Sequence, residues 1–129
     1  LREIYSMYYL TNTDPRMLVG LGGSEQDDVG SLGNSIAAID YHTGKLAWKY
    51  RFAGNAGSSG LLTTAGGLLF ANDGAGSLVA LGLDGRRPPV PLWHAQIGSI
   101  DNAAETYTVD GRQYVLVTGD GAVWAFYLQ

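Results

Sequence analysis

Cysteine is absent from the sequence. That absence excludes a disulfide framework, a thiolate zinc site and a cysteine nucleophile. Charge is scarce as well: Asp, Glu, Lys and Arg make up 16% of the residues, and 8 basic against 12 acidic side chains leave a formal charge of -4. With Lys45, Lys49, Arg51, Arg86 and Arg87 scattered along the chain, there is no electrostatic track for nucleic acid or for an anionic membrane surface. No apolar run approaches the roughly 18 to 20 residues that a helix needs to cross a bilayer. The longest stretch, "GLLTTAGGLLFA", is interrupted by Thr and Gly, so no membrane insertion is expected. A helical period of useful length is missing too. The chain opens at Leu1 with no basic-then-apolar leader, so its start reads as a processed or trimmed end.

Apolar residues and glycine are plentiful. The 46% hydrophobic content is that of a globular chain, and at 129 residues such a fold buries roughly two thirds of the surface its unfolded form exposes. Nineteen glycines without any low-complexity block point to many tight turns, whose natural partners are short strands. In "SIAAID", "YHTG", "KLAWKY", residues Leu46, Trp48 and Tyr50 share one face and Lys45, Ala47 and Lys49 the other, which predicts a hairpin with one buried side. Asp40 is placed to accept hydrogen bonds from turn amides near Thr43, and Gly44 to take the positive φ that closes the turn.

The same layout recurs. "SIAAID" aligns with "SLVALG" and "AVWAFY", so that Ala38, Ala80 and Ala125 repeat at about 40 to 45 residues, each preceded by further strand-like runs. Four short antiparallel strands at that period are expected to form β-propeller blades, giving an all-β chain. The units fall at about 1–53, 54–98 and 99–129. The first reads as "IYSMYYL", "MLVGL", "SIAAID" and "KLAWKYRF"; the second as "LLTTA", "GLLFAN", "SLVALG" and "PLWHAQI". The third has "ETYTV", "RQYVLVTG" and "AVWAFYL" and lacks a fourth strand. About three blades cannot close a ring, since propellers carry four to eight. Closure is therefore expected either from a larger polypeptide or from several copies.

The segment "AIDYHTGKLAW" resembles the tryptophan-docking motif Ala-x-Asp-x-x-Thr-Gly-x-x-x-Trp of quinoprotein alcohol dehydrogenase-like propellers, through Ala38, Asp40, Thr43, Gly44 and Trp48. "LLTTAGGLLFANDGAGSLVAL" and "TYTVDGRQYVLV" are similar to stretches near the C-terminus of pyrroloquinoline quinone (PQQ) dehydrogenases. The resemblance implies the C-terminal blades of an eight-bladed periplasmic enzyme that oxidises alcohols or sugars with PQQ and calcium and passes electrons to a cytochrome. It also implies that the remaining blades are this chain's partners, and that the catalytic Asp and the calcium ligands lie on them. No catalytic residue and no metal ligand is assigned here. Within the motif the Trp is inter-blade glue, so truncating a buried Trp48 to Ala should cost about 3–5 kcal/mol. The second copy keeps Ala80 and Trp93 but has Gly82 in place of the Asp and three extra residues, so its hairpin is expected to lack an Asp-held turn. Where many active relatives have Trp-Gly-Gly at the cofactor pocket, this chain has Ser58, Ser59 and Gly60, and serine supplies no apolar wall. The alternative implied by that departure is a cofactor-free propeller serving as a scaffold or binding module.

Aligning Thr64 with Thr108 sets Gly57, Ser58 and Ser59 opposite Asp101, Asn102 and Ala103, each triplet just before an innermost strand. Ser58, Ser59, Asp101 and Asn102 are therefore the candidate cofactor-binding residues at one mouth of the central channel. His42 reads as a solvated turn residue and His94 as an outer-strand residue without a metal partner. Glu25, Asp27 and Asp28 lack the spacing of an EF-hand and read as an exposed acidic loop. Asp73 and Asp120 fall in matching turns of consecutive blades, and Tyr5, Tyr8 and Tyr9 are expected to pack the first blade.

Overall fold

Ten strands and no helix make up the described residues of the computed structural model, which are 2–10, 24–52, 59–85 and 87–127, with side chains from residue 33 onward. They form three antiparallel sheets, as partial propeller blades do. The first contains β1 (Arg2–Leu10), β2 (Ser24–Ile39) and β3 (Leu46–Arg51) in that order. The second is a full four-stranded meander of β4 (Leu62–Thr63), β5 (Leu68–Asn72), β6 (Ser77–Gly82) and β7 (Val90–Gln96). The third has β8 (Glu105–Val109), β9 (Arg112–Gly119) and β10 (Ala122–Tyr127), with β10 at one edge.

The first sheet departs from the expected four short strands. The expected strand at Met17–Leu21 lies outside the described residues, as does the expected division at 53/54. Glu25, Asp27 and Asp28, read from the sequence as an exposed loop, instead belong to the long strand β2, opposite Tyr9, Met7 and Ser6 of β1. Asp, Ser and Gly have poor intrinsic strand propensity, but a partner strand rich in Tyr supplies the ladder that propensity alone does not foresee. β2 serves two partners in succession: it pairs with β1 up to Asn34 and with β3 from Ser35. Gly33, at φ +90, marks the changeover.

Turn chemistry explains the tight corners. Asp110 and Gly111 both have positive φ, as do Asp120 and Gly121, the combination that a two-residue Asp-Gly hairpin turn requires. At the first hairpin the amides of His42 and Thr43 donate to Asp40 Oδ1 at 2.8 and 3.2 Å, Lys45 N donates to Thr43 Oγ1 at 3.3 Å, and Gly44 sits at φ +67. In the second sheet the position of Asp40 is taken by Gly82, yet an aspartate still holds the loop: Arg87 N donates to Asp84 Oδ1 at 2.8 Å. The expected loss of an Asp-held turn is thus corrected. The extra residues move the acceptor two places along, where a carboxylate can again cap an amide three residues ahead.

The core lies between sheets. Ile36 of β2 packs with Leu69, Ala71 and Leu81 of the second sheet, joined by Trp48, Tyr50 and Phe52. On the other side Phe70, Leu78 and Ala80 pack with Ile97, Ile100, Ala104 and Val117, joined by Val115 and Phe126. β6 therefore contributes to both clusters, and four of its six residues are buried. Alternation along a strand sends successive side chains to opposite faces, so a strand with both faces covered reads as the near-continuous apolar run "SLVALG".

Candidate functional site

The second and third sheets each begin with an inner strand, β4 and β8, and the loops that precede these strands hold the candidate residues. Strand register refines their equivalence. Phe70 pairs with Ala80 and with Leu62; Leu116 pairs with Ala125 and with Glu105. Leu62 thus stands in the place of Glu105, and counting back matches Ser59 with Asn102 and Gly60 with Ala103, one position away from the match made on sequence. The two loops touch there: a Cβ on Gly60 would lie 2.7 Å from Ala103 Cβ, so only glycine fits without displacement.

Asn102 has a defined task. Its Oδ1 accepts from both the amide (2.9 Å) and the hydroxyl (2.7 Å) of Thr118, which pins the approach to β8 onto β9. Two donors on one oxygen fix the orientation of the side-chain amide. Asp101 is exposed and Ser59 half-buried. Ser58 lies outside the described residues. Chemically this rim offers amide and hydroxyl hydrogen-bonding groups and one solvated carboxylate.

Two further side chains hold the same end of the molecule. Asn72 Nδ2 donates to Ile100 O at 3.5 Å. Asp120 N donates to Ser99 O at 3.1 Å, while Ser99 N donates to Asp120 Oδ1 at 2.8 Å. The matching of Asp73 and Asp120 in sequence therefore hides a difference. Asp73 closes its own turn, accepting from Ala75 N and Ser77 N, whereas Asp120 reaches back to the loop between β7 and β8. The repeated "DG" was the visible signal, but the long-range partner Ser99 left no mark in it.

Among the described residues no three His, Cys, Asp or Glu side chains come together as a metal site would require. A cleft of about 580 Å³ is lined by Asp73, Ser77, Trp93, His94 and Gln96, and another of about 390 Å³ by residues that include Gly67, Asp84 and Arg87. Neither includes Ser59, Asp101 or Asn102. In the larger one, Ser77 Oγ and Gln96 Oε1 bond to each other at 2.9 Å, and Gln96 Nε2 donates to Ala75 O.

The aromatic pattern bears on assembly. Trp48 lies directly across from Ala38, and Trp93 directly across from Ala80, each pair followed by a register shift. Trp48 packs against the cluster shared with the second sheet, and Trp93 meets Phe126 of the third sheet edge-on at 5.1 Å. Each indole thus faces the next sheet in the series. Trp48 is only half-buried in this chain. Trp48→Ala is accordingly expected to cost about 2–3 kcal/mol, less than a fully buried aromatic would, in a urea unfolding experiment; a loss under about 0.5 kcal/mol, the size of an ordinary surface change, would show that the indole does not hold the two sheets together.

Comparison with protein families matches residues 20–129 to the family described as outer membrane protein assembly factor BamB. No curated protein matches the chain.

Proposed function

The chain belongs to the PQQ-like propeller-repeat family described as outer membrane protein assembly factor BamB, and from its resemblance to quinoprotein stretches we propose that it supplies blades of a quinoprotein dehydrogenase-like propeller in the periplasm. The parent oxidises alcohols or sugars, with a cytochrome as electron acceptor, and this chain's share of the work is architectural. The observation that carries the reading is the recurring Ala–Trp cross-strand pair, with each indole turned toward the next sheet, together with the resemblance of "TAGGLLF" and "DGRQYV" to quinoprotein stretches.

The residues at the rim do not by themselves fit a quinone–calcium centre. No aromatic side chain occurs in 59–61 or 99–104, and Asp101 is the single carboxylate there. The Asn102 carbonyl is already engaged by Thr118. An aromatic wall and a set of oxygen ligands are what such a group needs, so in this reading the quinone and its calcium are held by blades outside this chain. PQQ bound to the parent would supply the two-electron acceptor chemistry, and Ser59, Asp101 and Asn102 would shape one side of the channel mouth.

A second reading, a cofactor-free propeller acting as a scaffold, is favoured by Ser58, Ser59 and Gly60 standing where related enzymes have Trp-Gly-Gly, and by the description of the matched family. The test uses the full-length parent, incubated with PQQ and Ca2+, passed through a desalting column and assayed for dye-linked oxidation of primary alcohols and aldoses. Retained quinone absorbance with turnover supports the dehydrogenase. A folded protein that retains no quinone and reduces no dye overturns it in favour of the scaffold.

A further inference from the structure

The larger cleft lies where the turn joining β5 to β6 meets the outer strand β7, and Asp73, Ser77, Val79, Pro91, His94 and Gln96 are among its walls. Ser77 pairs with Gln96 and Val79 with His94, so these four side chains stand on one face of the ladder. Gln96 Nε2 donates to Ala75 O at 3.0 Å, which turns its Oε1 toward Ser77, and the Ser77 hydroxyl gives its single proton to that oxygen at 2.9 Å. A Cβ on Gly76 would lie 2.7 Å from the same Nε2, so the glycine leaves the room in which the Gln96 amide is held.

The bonds already made decide what the cleft can still offer. Asp73 is half-buried, and its Oδ1 accepts from Ala75 N at 2.8 Å and from Ser77 N at 2.9 Å, while its Oδ2 accepts from neither. What remains is mainly capacity to accept: Asp73 Oδ2, the lone pairs of Ser77 Oγ and Gln96 Oε1, and one nitrogen of a neutral His94. Among the described residues no Lys or Arg lines the cleft, so the carboxylate is its one fixed charge there. Val79 and Pro91 add apolar wall.

We propose that this cleft binds a small aliphatic amine, its ammonium group donating to Asp73 Oδ2 and its hydrocarbon chain lying against Val79 and Pro91. An ammonium carries three donors and no acceptor, the complement of a cleft whose own donors are largely engaged. An alcohol of the same length brings one donor and no charge, and a carboxylate sets acceptors against acceptors. The cleft includes none of Ser59, Asp101 and Asn102, so the amine site does not rest on a bound quinone.

Equilibrium dialysis of the full-length parent against radiolabelled pentylamine tests it, with 1-pentanol and pentanoate as ligands of equal chain length. Pentylamine should bind saturably, with a Kd at or below about 1 mM, within reach of so small a ligand. It should outbind the alcohol and the acid at least about tenfold, as a charge-assisted hydrogen bond predicts. Asp73→Asn keeps an oxygen for the two turn amides and puts an NH2 group in place of Oδ2, and should weaken pentylamine at least about tenfold. His94→Lys, at an exposed position, should leave the fold intact and weaken the amine as well by bringing a second cation to the cleft. Absence of saturable binding, equal binding of the alcohol or the acid, or unchanged affinity in either variant would overturn the proposal. Because the readout is binding measured without PQQ, its failure leaves the dehydrogenase reading standing, and a parent that reduces no dye leaves the amine site standing.

Discussion

Gly98→Ala is expected to lower the free energy of unfolding by about 2–5 kcal/mol, the combined cost of left-handed backbone for a residue with a Cβ and of overpacking. Gly98 lies at φ +86 between β7 and β8, and a Cβ placed there would fall inside the Asp120 carboxylate. Asp120 cannot simply swing away, because its Oδ1 accepts from Ser99 N and its own amide donates to Ser99 O. The neighbourhood is closed on other sides too: a Cβ on Gly119 would meet Ile97 O at 2.9 Å, and one on Gly76 would meet Gly98 O at the same distance. Asp120→Ala removes one hydrogen bond and puts alanine at φ +50, where aspartate is better tolerated, and should cost about 1–3 kcal/mol. In the double variant the overlap disappears while the backbone strain stays. Gly98→Ala should therefore be less damaging in the Asp120→Ala background than in the parent sequence, a non-additivity expected of groups in contact. Urea unfolding of the four proteins measures it. Strict additivity would mean that the carboxylate does not sit against this glycine.

Leu81→Ala should destabilise by about 2–5 kcal/mol through lost burial and a residual cavity. Leu81 is fully buried and belongs to the cluster that joins the first and second sheets. Leu92 is the internal control, a leucine on the adjacent strand that is 62% exposed, where the same substitution should stay within about 0.5 kcal/mol. Similar losses at both positions, by thermal or urea unfolding, would contradict the assignment of the core to the space between sheets.

Much of this architecture was legible in the residues. The Ala-to-Trp spacing and the alternation in "KLAWKY" mark a two-sided hairpin, and their recurrence marks blades; both are local patterns. Asp40 was legible for the same reason, since its hydrogen-bond partners are two and three residues away. What escaped depended on distant partners. The strand character of "SEQDDVGS" comes from β1 across the ladder, against its own composition. The displaced turn of the second hairpin required knowing that Asp84, rather than the residue at the Asp40 position, would cap the loop. Spacing marks Asn102 as a channel residue, but its engagement with Thr118, sixteen positions on, is invisible to any reading by spacing. The one-position adjustment between Ser59 and Asn102 arises because the turn joining β4 to β5 is built differently from the Asp-Gly turn joining β8 to β9, and strand pairing, not composition, sets the count.

Among the described residues both clusters lie between sheets and neither is enclosed by a single one, which makes the molecule additive in its joints. A sheet here owns no core; it lends one face to each neighbour, like a coin in a stack. Stability then accrues per joint and not per sheet, as in other linear arrays of repeats. Among the described residues the middle sheet counts twice because it takes part in two joints, and each of its neighbours shares one joint with it.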